Sequence, residues 1–275
     1  MRRLLLAPLA LGRVLIQMFA VTVVLSSGGQ ASADMIDCTQ GCSLDGFIGG
    51  GDGGALFSTV SVQPSGTGVF KPFLRVHALG RDGDIEDGHN TDGTLANNEI
   101  AGIWTHSVPF STLDNIVDIG GTDYYEFMLD LGEPTSDKKN LLSLDQFQVC
   151  FGNSGSLSQA DACPTTPTYS MDTGEDRWVK LDYNLFGGGN GNSDLFVYIP
   201  ATFFPGGPGS EFFYLYTSFG EQLGSAGAHG TFEEWAFQSH DGTPGPGNIV
   251  PEPSGLALMG LGMVLAVRRM RGKAR

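Results

Sequence analysis

Residues 124–131 read Y-Y-E-F-M-L-D-L, and residues 144–151 read L-D-Q-F-Q-V-C-F. Apolar and polar side chains roughly alternate in both stretches, and successive side chains of a β-strand point to opposite faces of its sheet. Each stretch is therefore typical of a strand with one buried face. Six further runs have a similar character and predict more strands: 55–62, 70–78, 178–185, 194–199, 212–217 and 232–238.

Turn-forming residues separate these runs and favour an all-β fold of two layers. Clusters of Gly, Pro, Asn and Asp lie between them, as in the loop 46–54, and no stretch of ten or more residues has a clear helical period. About eight short strands separated by turns predict an antiparallel sandwich or a jelly roll, because a closed or two-layer sheet covers its apolar edges.

The composition indicates a folded, acidic protein. Of 275 residues, 41% are hydrophobic and 16% are charged, and the formal net charge is −15, whereas disordered chains combine low hydrophobicity with high charge. Eight of the 15 Lys and Arg residues lie in the first 33 or the last eight positions, so the segment 34–241 is more acidic than the whole. Such a segment repels nucleic acid and anionic lipid and attracts divalent cations, although solubility outside the cell explains the charge equally well.

The first 33 residues have the order of a signal peptide. Arg2 and Arg3 form a short basic start, residues 4–25 are mostly apolar, and residues 31–33 read A-S-A. This order predicts cleavage by signal peptidase after residue 33 and export of the body across the inner membrane. An uncleaved N-terminal anchor is the alternative, and it exports the body as well.

Four cysteines fit an exported protein, in which disulfides persist. Four cysteines allow three pairings, and loop closure favours the two local ones, Cys38 with Cys42 and Cys150 with Cys163. A zinc site of four thiolates is the alternative. Its support is weak, because these spacings are not those of a standard zinc ribbon.

A Gly- and Pro-rich segment, 242–250, follows the body and cannot hold regular structure. It leads into Pro251, Glu252 and Pro253. This triplet is predicted to be stiff and extended, because each proline fixes φ and lacks a backbone N–H. An extended segment of this kind suits the cleft of a protease.

An apolar stretch and a basic end complete the chain. Residues 254–267 carry no charge, and as a helix they would be about 21 Å long. This is shorter than the hydrocarbon core of a bilayer, but such a helix still inserts when the bilayer thins or the flanking residues snorkel. Five of the last eight residues are Lys or Arg and are expected to stay cytoplasmic.

The tail 251–275, together with Val250 before it and Leu258 within it, resembles the PEP-CTERM sorting signal, in which V-P-E-P precedes a leucine, an apolar helix and a basic end. The resemblance implies recognition by an exosortase-type membrane protease and cleavage near residues 251–253. It also implies delivery to the cell surface or the extracellular matrix, often beside exopolysaccharide. An ordinary tail anchor is the alternative, and the sorting signal implies no activity for the body that carries it.

The body also resembles a set of PEP-CTERM proteins, over roughly 70–240. The strings that carry the likeness include G-H-N-T-D-G-T-L (88–95), W-V-K-L-D-Y-N-L (178–185), F-Y-L-Y-T-S-F-G (213–220) and T-F-E-E-W (231–235), and they occur in a similar order there. The resemblance implies one domain followed by the tail, and it carries over no activity.

Residues 81–93 read R-D-G-D-I-E-D-G-H-N-T-D-G and are rich in side-chain oxygens, which calcium prefers as ligands. The EF-hand template does not fit, because the sixth position holds Asp87 and the twelfth holds Gly93 when the loop is counted from Asp82. An irregular calcium loop is one interpretation, and a solvated turn is the other. The candidate calcium ligands are Asp82, Asp84, Glu86, Asp87 and Asp92.

Glu233 and Glu234 precede Trp235, and paired carboxylates near an aromatic ring are found in glycoside hydrolases. Adjacent residues of a strand point to opposite faces, so these two glutamates are not expected to flank one bond. For catalysis, one inward glutamate would instead have to join Asp130 or Glu126.

Trp104, Trp178 and Trp235 are predicted to belong to the core, with stacking on sugars as the alternative. No G-x-S-x-G elbow and no His-x-x-x-His spacing is present. The sequence therefore predicts a non-catalytic, exported β-sandwich, structural or adhesive, sorted to the cell surface or biofilm matrix. The alternatives are a calcium- or carbohydrate-binding module and, third, a glycan-active enzyme.

Overall fold

The computed structural model describes residues 33–47, 53–59, 71–77, 85–136, 139–163, 167–187, 193–222, 227–230 and 232–237. Several sequence predictions lie outside these residues. They are the signal peptide up to residue 32, the linker 242–250, the sorting tail 251–275 and the candidate ligands Asp82 and Asp84.

The described residues form thirteen strands and one short α-helix. The strands are β1 (Asp34–Asp37), β2 (Leu56–Ser58), β3 (Pro72–Val76), β4 (Glu86–His89), β5 (Val108–Pro109), β6 (Ile116–Ile119), β7 (Thr122–Asp130), β8 (Leu141–Gly152), β9 (Tyr169–Ser170), β10 (Arg177–Asp182), β11 (Leu195–Pro200), β12 (Phe212–Phe219) and β13 (Glu233–Phe237), and the helix is α1 (Gln159–Ala162). Single 3₁₀ turns occupy Phe110–Thr112 and Ala201–Phe203.

The strands make two sheets that are largely antiparallel. The first sheet has the order β1-β10-β8-β12-β4, with β5 beside β12 and β9 beside β8; the second has the order β2-β11-β7-β13-β3, with β6 beside β7. The pair β1–β10 is parallel, and every other pair in the two sheets is antiparallel. The predicted all-β class is confirmed at this level, as a β-sandwich-like arrangement.

Strand β10 shows why these segments become strands. Val179 and Leu181 are buried, whereas Lys180 and Asp182 between and beyond them are half-buried. A period of two places the apolar side chains on one face, where burial of each contributes about 1.5–3 kcal/mol.

Aromatic side chains fill the space between the two sheets. The ring of Phe127 on β7 lies 5.5 Å from that of Phe147 on β8 and 5.5 Å from that of Phe213 on β12. Trp235 on β13 packs edge-on against Phe147 at 5.0 Å. These contacts join strands of both sheets, so the aromatic rings form the centre of the core.

All eight predicted strand runs overlap strands of the structure, and five strands were missed: β1, β4, β5, β6 and β9. The most consequential is β4, since it falls inside the acidic segment 81–93. The turn prediction for that segment is wrong over residues 86–89, which pair in register with β12.

Both local cysteine pairings are present as disulfides, Cys38–Cys42 and Cys150–Cys163, and no cysteine is left free to ligate zinc. The first follows β1, and the second ties β8 to the residue after α1. Over the described residues, no helix has the length and apolar character that crossing a bilayer requires.

Candidate functional site

The candidate calcium ligands on β4 point in opposite directions. Glu86 is 1% exposed. Asp87 accepts a hydrogen bond from the Tyr216 hydroxyl at 3.0 Å, and burial raises the pKa of its carboxyl. Their separation follows from the strand itself, because adjacent side chains alternate between the two faces.

Asp92 is engaged elsewhere. Its carboxylate accepts hydrogen bonds from the backbone N–H of Ser107 at 3.0 Å and from the Ser107 hydroxyl at 2.7 Å, so it fixes the chain after β4 to the chain before β5. The three described candidates therefore do not converge on one point. Nowhere in the described ranges does a group of three His, Cys, Asp or Glu residues stand where it could hold a metal ion.

Glu86 instead meets a carboxyl group from the other sheet. Strand β13 pairs Glu233 with Val76 and Glu234 with Asp130, and this register turns Glu233 into the sandwich, where it is 0% exposed. The Glu233 carboxyl faces the Glu86 carboxyl and the backbone N–H of Gly132.

Burial, and then the neighbouring Glu86 carboxyl, raise the pKa of Glu233 well above its ordinary value. The charge of Glu133 adds to this effect, while the N–H of Gly132 opposes it. Neither oxygen of Glu233 makes a hydrogen bond of normal geometry, and the same holds for Oε2 of Glu86. Buried polar atoms are rarely left in this condition, because each such atom costs about 1–3 kcal/mol.

Glu133 follows β7 and is a third buried acid beside this pair. It is 3% exposed, and both of its oxygens accept from the backbone N–H of His229 at 3.1 Å. The next residue, Gly230, sits so close to the Gly132 carbonyl that an added Cβ would lie 2.2 Å from its oxygen. Glycine is therefore required where the segment 227–230 packs against residues 132–133.

Glu234 points away from this cluster and binds Arg75, which donates to it through Nε and Nη2. The guanidinium carbon of Arg75 lies 3.5 Å from the ring centroid of Trp104 and 4.2 Å from that of Phe232. Burial raises the pKa of Glu234, and the charge of Arg75 opposes this shift.

The carboxylates considered for glycan hydrolysis are thus distributed differently from the arrangement that catalysis would need. Asp130 lies opposite the outward Glu234 in the β13–β7 register, whereas the inward Glu233 meets Glu86. Glu126 faces the Tyr198 hydroxyl, and this contact adds to the burial that raises the pKa of Tyr198.

The three tryptophans lie in different environments. Trp235 is fully buried in the aromatic core, as predicted, and Trp178 is half-buried on β10. Trp104 is 36% exposed and lies beside Ile103, which is 72% exposed. The core prediction is wrong for Trp178, which is not among the side chains of the core. It is also wrong for Trp104, because its loop lies outside both sheets and its ring covers Arg75.

A buried histidine–glutamate pair was missed by the sequence reasoning. His89 Nδ1 lies 3.0 Å from Glu99 Oε1, and its Nε2 lies 3.2 Å from the carbonyl oxygen of Leu157. Both side chains are fully buried. Scattered histidines give no local signal of such a contact, which joins β4 to two loops.

Glu86, Glu99, Glu133 and Glu233 are thus four acids in the interior, each from a different segment of the chain. The one sequence signal that could have found them is a glutamate within or next to a buried apolar run, as in L-D-L-G-E-P and F-E-E-W-A-F.

Comparisons of the chain with models of known protein families, with curated proteins and with solved structures find no match.

Proposed function

We propose that this chain is a non-catalytic, exported β-sandwich protein, which an exosortase-type protease sorts to the cell surface or extracellular matrix. The observation that carries the proposal is the order of Val250, the triplet Pro251, Glu252 and Pro253, the uncharged residues 254–267 and the basic end. In this proposal the membrane holds the protein only through residues 254–267, and only until cleavage near residues 251–253. Exopolysaccharide or another matrix component is the proposed partner of the body.

Two features of the body support export. All four cysteines are paired in disulfides, which persist in oxidising compartments such as the periplasm and the cell surface. The acidic composition keeps the body soluble outside the cell and gives it no affinity for nucleic acid. The signal-peptide pattern over 1–33 is consistent with the same route.

The proposal is tested by following the chain in a bacterium that has an exosortase and in the same strain without it. Antibodies against the body should find a shortened protein at the surface of the first strain and a longer, membrane-held form in the second. Replacing Pro251, Glu252 and Pro253 together with alanine should give the membrane-held form in both strains.

Replacing Pro244 and Pro246 with alanine is the matched control, since it removes prolines from the linker and leaves the triplet intact. This variant should be processed like the wild type. Equal length and equal location of the wild-type protein in the two strains would rule out exosortase sorting.

A carbohydrate-binding body is a second candidate, favoured by the exposed pair Ile103 and Trp104 beside Arg75. Exposed aromatic rings stack on sugars, and the guanidinium of Arg75 holds one face of the Trp104 ring in place. Adding polysaccharide from the producing strain should change the tryptophan fluorescence of the wild type and leave Trp104→Ala unchanged. The same change in both proteins would exclude this surface.

A further inference from the structure

We infer that Glu86 and Glu233 bind a divalent cation between the two sheets, and that calcium is the ion their chemistry suits. This site differs from the loop predicted from the sequence, with which it shares Glu86 alone. It rests on the geometry of the body and is independent of the sorting tail.

The first argument is the lack of partners for buried oxygens. Glu233 is fully buried, and neither of its oxygens makes a hydrogen bond of normal geometry. Glu86 is 1% exposed, and its Oε2 also lacks such a hydrogen bond. The two carboxyl groups face each other from different sheets. Two ionised carboxylates in such a place repel one another and lose their hydration, so a positive charge or a proton must lie between them.

The number of oxygens favours a cation over a proton. Both oxygens of Glu233 and Oε2 of Glu86 lack a hydrogen bond of normal geometry, and one shared proton joins only two of these three oxygens. A calcium ion accepts carboxylates in one- or two-oxygen contacts and takes about six to eight ligands, so it can engage all three. Backbone carbonyls or water would supply the remaining ligands.

The surrounding charges point the same way. Glu133 adds a third negative charge beside the pair, although its own oxygens accept from the His229 N–H. Arg75 is held away from the pair by the outward Glu234. The ion would thus have two carboxylate ligands and one nearby negative charge.

Position gives the ion a structural effect. Glu86 lies on edge strand β4 of the first sheet, and Glu233 lies on β13 of the second, beside edge strand β3. A cation bound to both ties the two sheets together, and a ligand that binds the native state alone raises its stability.

The test compares thermal unfolding of the full chain in excess calcium and in chelator. We expect calcium to raise Tm by about 5–10 °C at a 100-fold excess over Kd, and we expect Glu233→Gln and Glu86→Gln to abolish the rise. Glu211→Gln, an exposed glutamate on the surface, and Asp87→Asn, the neighbour on the other face of β4, should keep it.

Terbium luminescence gives a second measurement that does not depend on how well the variants fold. Trp235 lies two residues from Glu233 and faces the same side of β13, so terbium in the wild-type site should emit when tryptophan is excited. Calcium should displace the terbium and abolish this emission.

Three outcomes would overturn the inference. One is a calcium shift that survives Glu233→Gln but is lost when Asp84 and Asp87 are both replaced by asparagine, which would locate the ion in the loop. Another is the absence of both the calcium shift and the terbium emission in the wild type. In the third, calcium leaves the Tm unchanged, and the Tm of the wild type falls as pH rises while that of Glu233→Gln does not. This result would show that the pair holds a proton.

Discussion

The aromatic centre of the sandwich and its acidic edge are both buried, yet they are built on opposite principles. At the centre, Phe127, Phe147 and Phe213 contribute through apolar area and ring contacts alone. At the edge, both oxygens of Glu233 and Oε2 of Glu86 are buried without the hydrogen bonds that buried carboxyl oxygens need. The aromatic contacts at the centre hold the two sheets together, whereas these carboxyl oxygens at the edge lack hydrogen-bond partners.

The largest effect is expected at the centre. Phe127→Ala removes a ring that contacts both sheets, and it should lower the free energy of unfolding by about 3–5 kcal/mol. Denaturant titration of the purified chain measures the loss. Ile103→Ala, at an exposed position, is the control and should change stability by less than about 0.5 kcal/mol. Similar losses for both variants would mean that the aromatic cluster is not the centre of the core.

The next largest effect is expected from the disulfides. Removing them measures the covalent contribution to stability, whereas Phe127→Ala measures the apolar contribution. Replacing Cys150 and Cys163 with serine should lower the free energy of unfolding by about 3 kcal/mol, and replacing Cys38 and Cys42 by about 2 kcal/mol, because the shorter loop restrains the unfolded chain less. Denaturant titration again gives the values. A larger loss for the shorter loop would contradict this ranking.

A smaller effect is expected from the outward glutamate of β13. Glu234→Gln leaves Arg75 partly buried without its carboxylate, and a hydrogen bond to a charged group contributes about 1.5–3 kcal/mol, so a loss near the lower end is expected. The matched comparison is Glu233→Gln in chelator, measured in the same way. That change removes a charge that the interior disfavours, so it should leave stability unchanged or raise it. If both variants lost the same free energy of unfolding, the inward and outward glutamates of β13 would not differ in their effect on stability.

The smallest effect, taken per pH unit, is expected from the titration of another buried acid. Burial raises the pKa of Asp194 to about 7, although its carboxylate accepts from the Leu131 N–H at 2.8 Å. Because this pKa is higher in the folded state than in the unfolded chain, the folded state binds the proton more tightly. The contribution of Asp194 is therefore fully present below about pH 4 and is lost as pH rises through 7, by up to about 1.4 kcal/mol per pH unit.

Asp194→Asn keeps an acceptor for Leu131 and should flatten the profile of unfolding free energy between pH 4 and 7.5. Asp161→Asn, an exposed acid at the start of α1, provides the control and should leave the profile as it is in the wild type. A profile that keeps its slope in Asp194→Asn would assign the pH dependence to other groups.

The contrast between centre and edge also explains what could be predicted from the sequence. Alternating runs such as W-V-K-L-D predict the strands in which one set of side chains faces the core and the other faces solvent. Strand β4 reads E-D-G-H, which has no apolar residue, so its pairing with β12 is decided by tertiary contacts and not by its own pattern. The eight predicted strands lie in longer alternating or apolar runs of the sequence. The missed strands β1, β5 and β9 have only two to four residues and add Ile36, Val108 and Tyr169 to the core.

The contact between Glu86 and Glu233 at the acidic edge could not be predicted from the sequence, for a different reason. Glu86 and Glu233 are far apart in the chain and belong to different sheets, so their contact depends on how the sheets pack. Counting oxygens along residues 81–93 identified Glu86 but grouped it with Asp87, whose side chain lies on the opposite face of the same strand. A linear motif cannot represent that alternation when the segment is taken for a loop.

Mass spectrometry of the protein recovered from the surface of its producing cells tests the central claim most directly. We expect a chain that starts near Asp34 and ends near Pro251–Pro253, with peptides that join Cys38 to Cys42 and Cys150 to Cys163. A chain that keeps residues 254–275 and its free thiols, recovered from inside the cell, would contradict the account.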